Sequence, residues 1–210
     1  MKYDLHTHTH YSSCSILKPW KILKVARKFK LDGIAITDHN TIKGGLDVHK
    51  LNKDKDFEVI IGSETNTDRG HVLGLYLTKE IKSKDFFEAV DEIRKQGGIV
   101  IIAHPFRLLP QLSFKQPPDF IKYLDAVECN NGRTFYFGNR KALKFAEQHN
   151  LAKTGGSDSH FSFEIGRCYT LFEGDLIKAV KHNKTKIGGV SFTGLAGGLM
   201  SFFKRRIPKM

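Results

Sequence analysis

Histidines and acidic residues recur in this chain where apolar, strand-like runs stop. His6 and His8 close a run that begins at Tyr3. His39 follows residues 33–37, Glu64 follows 57–62, His104 follows 99–103, and Asp158 and His160 follow 153–156. His71 is the exception, standing at the start of the run 71–77. This recurrence constrains the fold more than any other feature. Side chains so far apart in sequence act together only if the ends of those runs meet on one face. A closed or nearly closed barrel of alternating strands and helices brings them there.

The rest of the pattern agrees with alternation. Residues 19–30 carry Trp20, Leu23, Ala26 and Phe29 at helical spacing behind Pro19, a favoured first-turn residue. Further helices are expected over 84–96, where Gly97-Gly98 supplies the stop, over 136–150 and over 175–182. Strands separated by helices imply parallel βαβ units, and the apolar runs suit strands buried on both faces. No Gly-x-Gly-x-x-Gly or phosphate-loop pattern favours an open nucleotide-binding sheet. Residues 108–118, with Pro110, Pro117 and Pro118, read as a loop over the site. The chain is expected to form one barrel over residues 1–185, followed by a tail over 186–210. That tail is Gly-rich and apolar and ends in the basic cluster Lys204-Arg205-Arg206.

The formal net charge of +12 favours an anionic partner: a small phosphorylated substrate, a short nucleic acid or an acidic surface. The plainer alternative is a basic, well-solvated surface. Cys14, Cys129 and Cys168 are sparse and odd in number, with no Cys-x-x-Cys pair. That argues against a disulfide scaffold and for a reducing, cytoplasmic setting. The first residues carry no apolar signal region, and no stretch reads as a membrane span.

Residues two apart in a strand share a face, so His6 and His8 present their imidazoles together. A single histidine is usually a hydrogen-bonded surface or core residue, and His10, His49, His149 and His182 read that way. The strand-end set does not. Its imidazoles and carboxylates suit zinc, manganese or iron(II) rather than calcium. Glu64, with two oxygens, is a natural bridge between two ions. Metals about 3.5–4 Å apart activate water and clamp a phosphoryl group without any serine or cysteine nucleophile.

Six segments carry a family resemblance. Asp4-Leu5-His6-Thr7-His8, Ile36-Thr37-Asp38-His39-Asn40, Gly62-Ser63-Glu64, His71-Val72-Leu73-Gly74, Ala103-His104-Pro105 and Gly156-Ser157-Asp158-Ser159-His160 follow one another along the chain. They resemble the ordered motifs of the polymerase-and-histidinol-phosphatase (PHP) family, over about residues 3–175. The resemblance implies an α/β fold, a distorted (β/α)7 TIM-like barrel in a single domain, and a metal-dependent phosphoesterase with two or three divalent ions. It implies a first metal on His6, His8, Glu64 and Asp158, and a second on Glu64, His71 and His104. A third, where present, falls to His39 and His160. A metal-bound water would act with Glu64 and His160 in catalysis. Ser13 and Cys14 stand where the family supplies an Asp or His for the third metal. Cys14 is thus either a thiolate ligand or a small buried residue.

Arg107, just after Ala103-His104-Pro105-Phe106, and Arg167, after Glu164-Ile165-Gly166, are candidates for phosphate contact. Arg69 and Arg133 are looser ones. The expected function is hydrolysis of a phosphomonoester or phosphodiester: a nucleotide, an oligonucleotide or a small phosphorylated metabolite. The alternatives are a non-catalytic, metal-containing barrel that binds nucleic acid or a partner, and amide hydrolysis on a related barrel. The latter commonly bridges its metals with a modified lysine, and no strand-end lysine fits as well as Glu64. The tail has two readings: packing against the barrel or another copy, or contact with anionic lipid.

Overall fold

The computed structural model describes residues 1–107, 114–115 and 119–191. The chain starts with β1 (Lys2–Thr7), whose side chains are almost all buried. It returns through α1 (Pro19–Lys28) to β2 (Gly33–Ile36), then through α2 (Lys43–Leu51) to β3 (Glu58–Thr67). These three strands pair in parallel, as βαβ units should.

Next comes a departure from simple alternation. β3 does not stop at Glu64. It continues to Thr67, turns through Asp68-Arg69, and comes straight back as β4 (Gly70–Leu75) in an antiparallel hairpin. Glu64 therefore sits inside a strand, and the following β5 (Ile99–Ile102) also runs antiparallel to β4. Parallel order resumes with β6 (Ala126–Asn131) and β7 (Ala152–Gly156). α3 (Phe86–Lys95) precedes β5, and α4 (Tyr136–Gln148) joins β6 to β7. The Asp85 carboxylate caps α3 by accepting from the Phe87 and Glu88 N–H groups.

The sheet order is β7-β6-β5-β4-β3-β2-β1, extended past β1 by β8 (Cys168–Leu171) and β9 (Lys186–Gly189), with α5 (Leu176–Lys181) between them. The first seven strands curl until β7 meets β1. The His8 N–H donates to the Ser159 carbonyl at 2.9 Å, and Thr7 and Ser159 form a bridge. Gly156 makes the approach possible, because a Cβ there would lie 2.7 Å from the His6 nitrogen. The result is a single-domain, nearly closed barrel of mixed α/β type. Its distortion is the antiparallel β3–β5 segment. The sheet runs on through Gly189, inside the stretch read as tail. Residues 192–210 and most of the expected loop 108–118 lie outside the described residues.

Inside the barrel, Tyr3, Leu5, Ala35, Ile60, Leu73, Leu75, Ile99 and Ile101 form one apolar layer, with α5 beneath it. Between β1 and β2 the register shifts between Asp4 and Thr7, and beyond that irregularity His6 and His8 take over the interior positions. α1 buries Ile22, Leu23 and Ala26 as its period predicts, but Trp20, read from sequence on the same apolar face, is 57% exposed. No helix among the described residues is long and apolar enough to cross a membrane.

Candidate metal centre

The donors converge on one face of the barrel. β1 and its exit supply His6 and His8, and the turn after β2 supplies His39, which bridges to β3 beside Glu64. On the β3–β4 hairpin, His71 pairs with Asn66, so it lies diagonally across from Glu64. His104 follows β5 and Asp158 follows β7. Both hold left-handed backbone, with φ of +29° and +53°, an uncommon state for residues with a side chain.

The donor spacing tests whether a metal fits. His6 Nε2 and His8 Nε2 stand 3.1 Å apart. His8 Nε2 is 3.2 Å from Asp158 Oδ1 and 3.3 Å from Glu64 Oε2. His6 Nε2 is 3.5 Å from Glu64 Oε2 and 3.7 Å from Asp158 Oδ1. Four ligands on a tetrahedral zinc, at bond lengths of about 2.0–2.2 Å, lie about 3.3–3.5 Å from one another. These separations are five edges of such a tetrahedron, so the donors fit an ion. Glu64 Oε1 serves another set, 2.7 Å from His71 Nδ1 and 3.0 Å from His104 Nε2. His39 Nδ1 is a buried nitrogen without a hydrogen bond, although Glu64 Oε2 is 3.1 Å away, which suits a lone pair aimed at an ion. His8, His39 and His160 also converge as a group.

A second layer aims the first. Glu128, which the sequence reading missed, accepts from His6 Nδ1 at 2.9 Å and so leaves Nε2 as the ligating nitrogen. Its other oxygen accepts from the His104 N–H and from Asn131 Nδ2. The signal was present: a lone carboxylate in the buried run Ala126–Asn131. Asp38 accepts from the Thr9 N–H, from Thr9 Oγ1 and from Ser12 Oγ, and Ser12 Oγ in turn accepts from the His39 N–H. Asp4, fully buried, accepts from the Ser157 and Gly166 N–H groups and ties β1 to the Asp158 turn.

Burial disfavours the charged form of every group here, and neighbours decide the outcome. Burial opposes the His6 imidazolium, yet Glu128, Asp158 and Glu64 outweigh it and raise its pKa well above the ordinary value. Burial likewise opposes the Glu64 and Asp158 carboxylates, but surrounding imidazoles, with Arg107 at Asp158, hold both well below the usual range. Burial pushes His39 down to about 3 and also lowers His104 and His160. Neutral imidazoles are the form that binds metal.

Cys14 is buried, with Sγ 3.0 Å from His160 Nε2, so it belongs to this cluster. Arg107 reaches it too, donating to Asp158 Oδ2 at 3.1 Å. Arg167 does not. It donates to the Phe163 carbonyl and lies 5.6 Å over the Phe29 ring on the outer flank. Gly166 fixes that direction with a φ of +73° against Phe29. Arg133 is buried against Glu164 in a two-pronged ion pair.

Comparison with known proteins gives three kinds of likeness. Residues 137–185 match a family described as PHP-associated. The chain is 37% identical over 179 residues to the uncharacterized protein MJ0417 of Methanocaldococcus jannaschii, covering 82% of this chain and 70% of that one. Its fold resembles a two-domain protein of Bacteroides vulgatus containing a predicted PHP-like metal-dependent phosphoesterase. There the TM-score is 0.76 at 22% identity, over 90% of this chain and 64% of that one. It also resembles an amidohydrolase of Chromobacterium violaceum with bound sulfate and no metal. In that case the TM-score is 0.63 at 16% identity, over 89% and 97% of the two chains.

Proposed function

The chain belongs to the polymerase-and-histidinol-phosphatase (PHP) family, and from that premise we propose that it is a metal-dependent phosphoesterase acting on a phosphomonoester or phosphodiester. The observation that carries this reading is the Glu64 carboxylate, with His6, His8 and His39 around one oxygen and His71 and His104 at the other. That is the arrangement of a bridge. His6, His8 and Asp158 would share one ion with Glu64, and His71 and His104 a second. His39, His160 and Cys14 would hold a third. Divalent zinc, manganese or iron held there supplies Lewis-acid polarisation of a phosphoryl oxygen and an acidified water.

The chain's own residues do the rest. Glu128 at His6 Nδ1 and Ser12 Oγ at His8 Nδ1, 3.3 Å away, fix imidazole orientation through hydrogen bonds, so little reorganisation accompanies binding. Arg107, held by Asp158 at the edge of the cluster, offers a planar fork to a phosphoryl oxygen. His160 has Nδ1 tied to the Asp158 carbonyl at 2.8 Å and Nε2 beside Cys14. Held neutral by burial, it enters this proposal as a ligand rather than as a proton donor. Arg167 has no part in it. The reducing cytoplasm is the proposed setting, and the formal charge of +12 supports an anionic substrate.

The fold likeness to an amidohydrolase gives amide hydrolysis a place in the test. Metal content is measured on the purified protein. It is then offered phosphomonoesters, nucleotides, short oligonucleotides and an amide substrate, each with manganese, zinc or iron(II). Phosphate ester cleavage that a chelator abolishes and metal restores is the expected result. Bound metal with no turnover of any ester would favour the binding-module reading, and turnover of the amide alone would favour the other.

A further inference from the structure

The exposed aromatic side chains among the described residues are Tyr11, Trp20, Phe135, Tyr136, Phe137 and Phe163. All six stand on one side of the barrel. Tyr11 and Trp20 lie between β1 and the first turn of α1. Phe135, Tyr136 and Phe137 follow β6, and Phe163 follows β7. These are the strand ends that carry the cluster. Among the described residues, the exposed large hydrophobic side chains at the opposite end are the aliphatic Met1, Leu51 and Leu171.

The densest part of this rim adjoins the cluster. Asn131 donates to Asp158 Oδ2 and Glu128 Oε2, and Asn139 on α4 bonds to the Asn131 backbone in both directions. Gly138 packs so closely that a Cβ there would sit 2.6 Å from the Phe106 carbonyl, next to Arg107. The first turn of α4 is thereby fixed at the mouth of the site, with Tyr136 61% and Phe137 75% exposed. Cations sit among the rings. Arg140 donates to the Tyr136 hydroxyl at 3.0 Å, and Lys21 lies 5.8 Å from the Trp20 ring. Open ring faces interleaved with cations are what a stacked base and its phosphate need.

We propose that this rim is a base-stacking platform and that the substrate is a single-stranded oligonucleotide. Its phosphate lies at the cluster and Arg107, and flanking bases lie on Tyr136 and Phe137. This inference rests on the phosphoesterase reading for the phosphate's place but not for the stacking. The test is binding of a labelled, short, phosphorothioate-linked single strand to the full metal-loaded chain, followed by fluorescence anisotropy. The double variant Tyr136→Ala, Phe137→Ala should bind about tenfold or more weakly, the loss expected when base–aromatic stacking is removed. An abasic strand of the same length and charge should weaken binding to the wild type by a similar factor and not depend on the two rings. Equal binding of the abasic strand would overturn the platform even if the variant misfolds. So would unchanged affinity in a folded variant, or ring-dependent binding to anionic vesicles in place of the strand. Failure of the phosphoesterase reading looks different: ring-dependent binding persists while no ester is cleaved.

Discussion

At the end where β1, β6 and β7 finish, imidazoles and carboxylates stand as close as 2.7 Å, most of them buried. At the opposite end lies a cavity of about 810 Å³, lined by Tyr3, His49, Asp54, Glu58, Tyr76 and their neighbours. This cavity is not where the chemistry converges. Its polar contacts include an ordinary pair, Tyr3 donating to Glu58 at 2.7 Å. Backbone conformation does not separate the ends, because Tyr76 at the cavity is left-handed just as His104 and Asp158 are. Donor convergence does. Several like-natured groups packed without intervening partners cost stability unless something binds between them. Volume reports room, and convergence reports a ligand.

The largest effect that tests this contrast belongs to His8. Its Nε2 is 3.1–3.3 Å from His6, Asp158 and Glu64. His8→Ala should lower ester turnover by a thousandfold or more, roughly the several kcal/mol a bound ion supplies. Metal analysis of the same sample should show a lost ion, and circular dichroism a kept fold. Undiminished turnover would remove the cluster from the chemistry. Glu128→Ala comes next. It leaves His6 Nδ1 without its carboxylate and should weaken metal affinity by about ten- to a hundredfold, measured by competition with a chelating dye. Affinity equal to wild type would show that His6 is oriented by something else.

These two residues also mark what the sequence could and could not disclose. His6 and His8 were legible because strand geometry turns a spacing of two into one shared face. Glu64 was legible as a member of the cluster, a carboxylate just past an apolar run. Its place inside a hairpin was not, because Thr65 to Thr67 reads as the start of a loop until β4 pairs with it. Glu128 has no spacing partner, so only burial exposes its role. α2 was hidden by Gly44 and Gly45, which look like a turn. The structure explains Gly44, since a Cβ there would lie 2.0 Å from the Asp38 carboxylate that organises the loop beside His8 and His39. Arg167 misled because proximity in sequence to the Asp158 segment says nothing of the side to which a left-handed Gly166 turns the chain. Trp20 was misplaced because its spacing fits the buried stripe, yet it stands at the solvent end of α1.

Between the two ends runs Asp4, whose pKa burial pushes up from 3.8 to about 6 against the hydrogen bonds that favour its charge. The folded state therefore holds the proton more tightly. Stability from this group is full below about 4 and falls as pH rises to about 6, by about 3 kcal/mol. Glu64 and Asp158 act with the opposite sign: their depressed values add stability above the unfolded carboxylate pKa and lose it as pH falls through the folded ones. Urea unfolding of chelated protein from acid to neutral pH separates them. Asp4→Asn should flatten the decline between about pH 4 and 6 relative to wild type, and Glu64→Gln should shrink the acid limb. If both variants keep the wild-type profile, neither carboxylate is shifted by its surroundings in the folded protein.

The smallest effect sharpens the contrast from the other side. Burial, aided by Glu58, raises the Tyr3 pKa, so its phenol stays a neutral donor at any ordinary pH. Tyr3→Phe removes that donor and keeps the ring that packs edge-on against Phe172 at 4.9 Å. The loss should be about 1 kcal/mol, the usual worth of a single hydrogen bond, and independent of pH across the neutral range. Thermal unfolding should register it as a small drop in Tm, while kcat and metal content stay at wild-type values. A fall in turnover from this substitution would mean that the cavity end communicates with the cluster through β1, and the division of labour between the two ends would have to be redrawn.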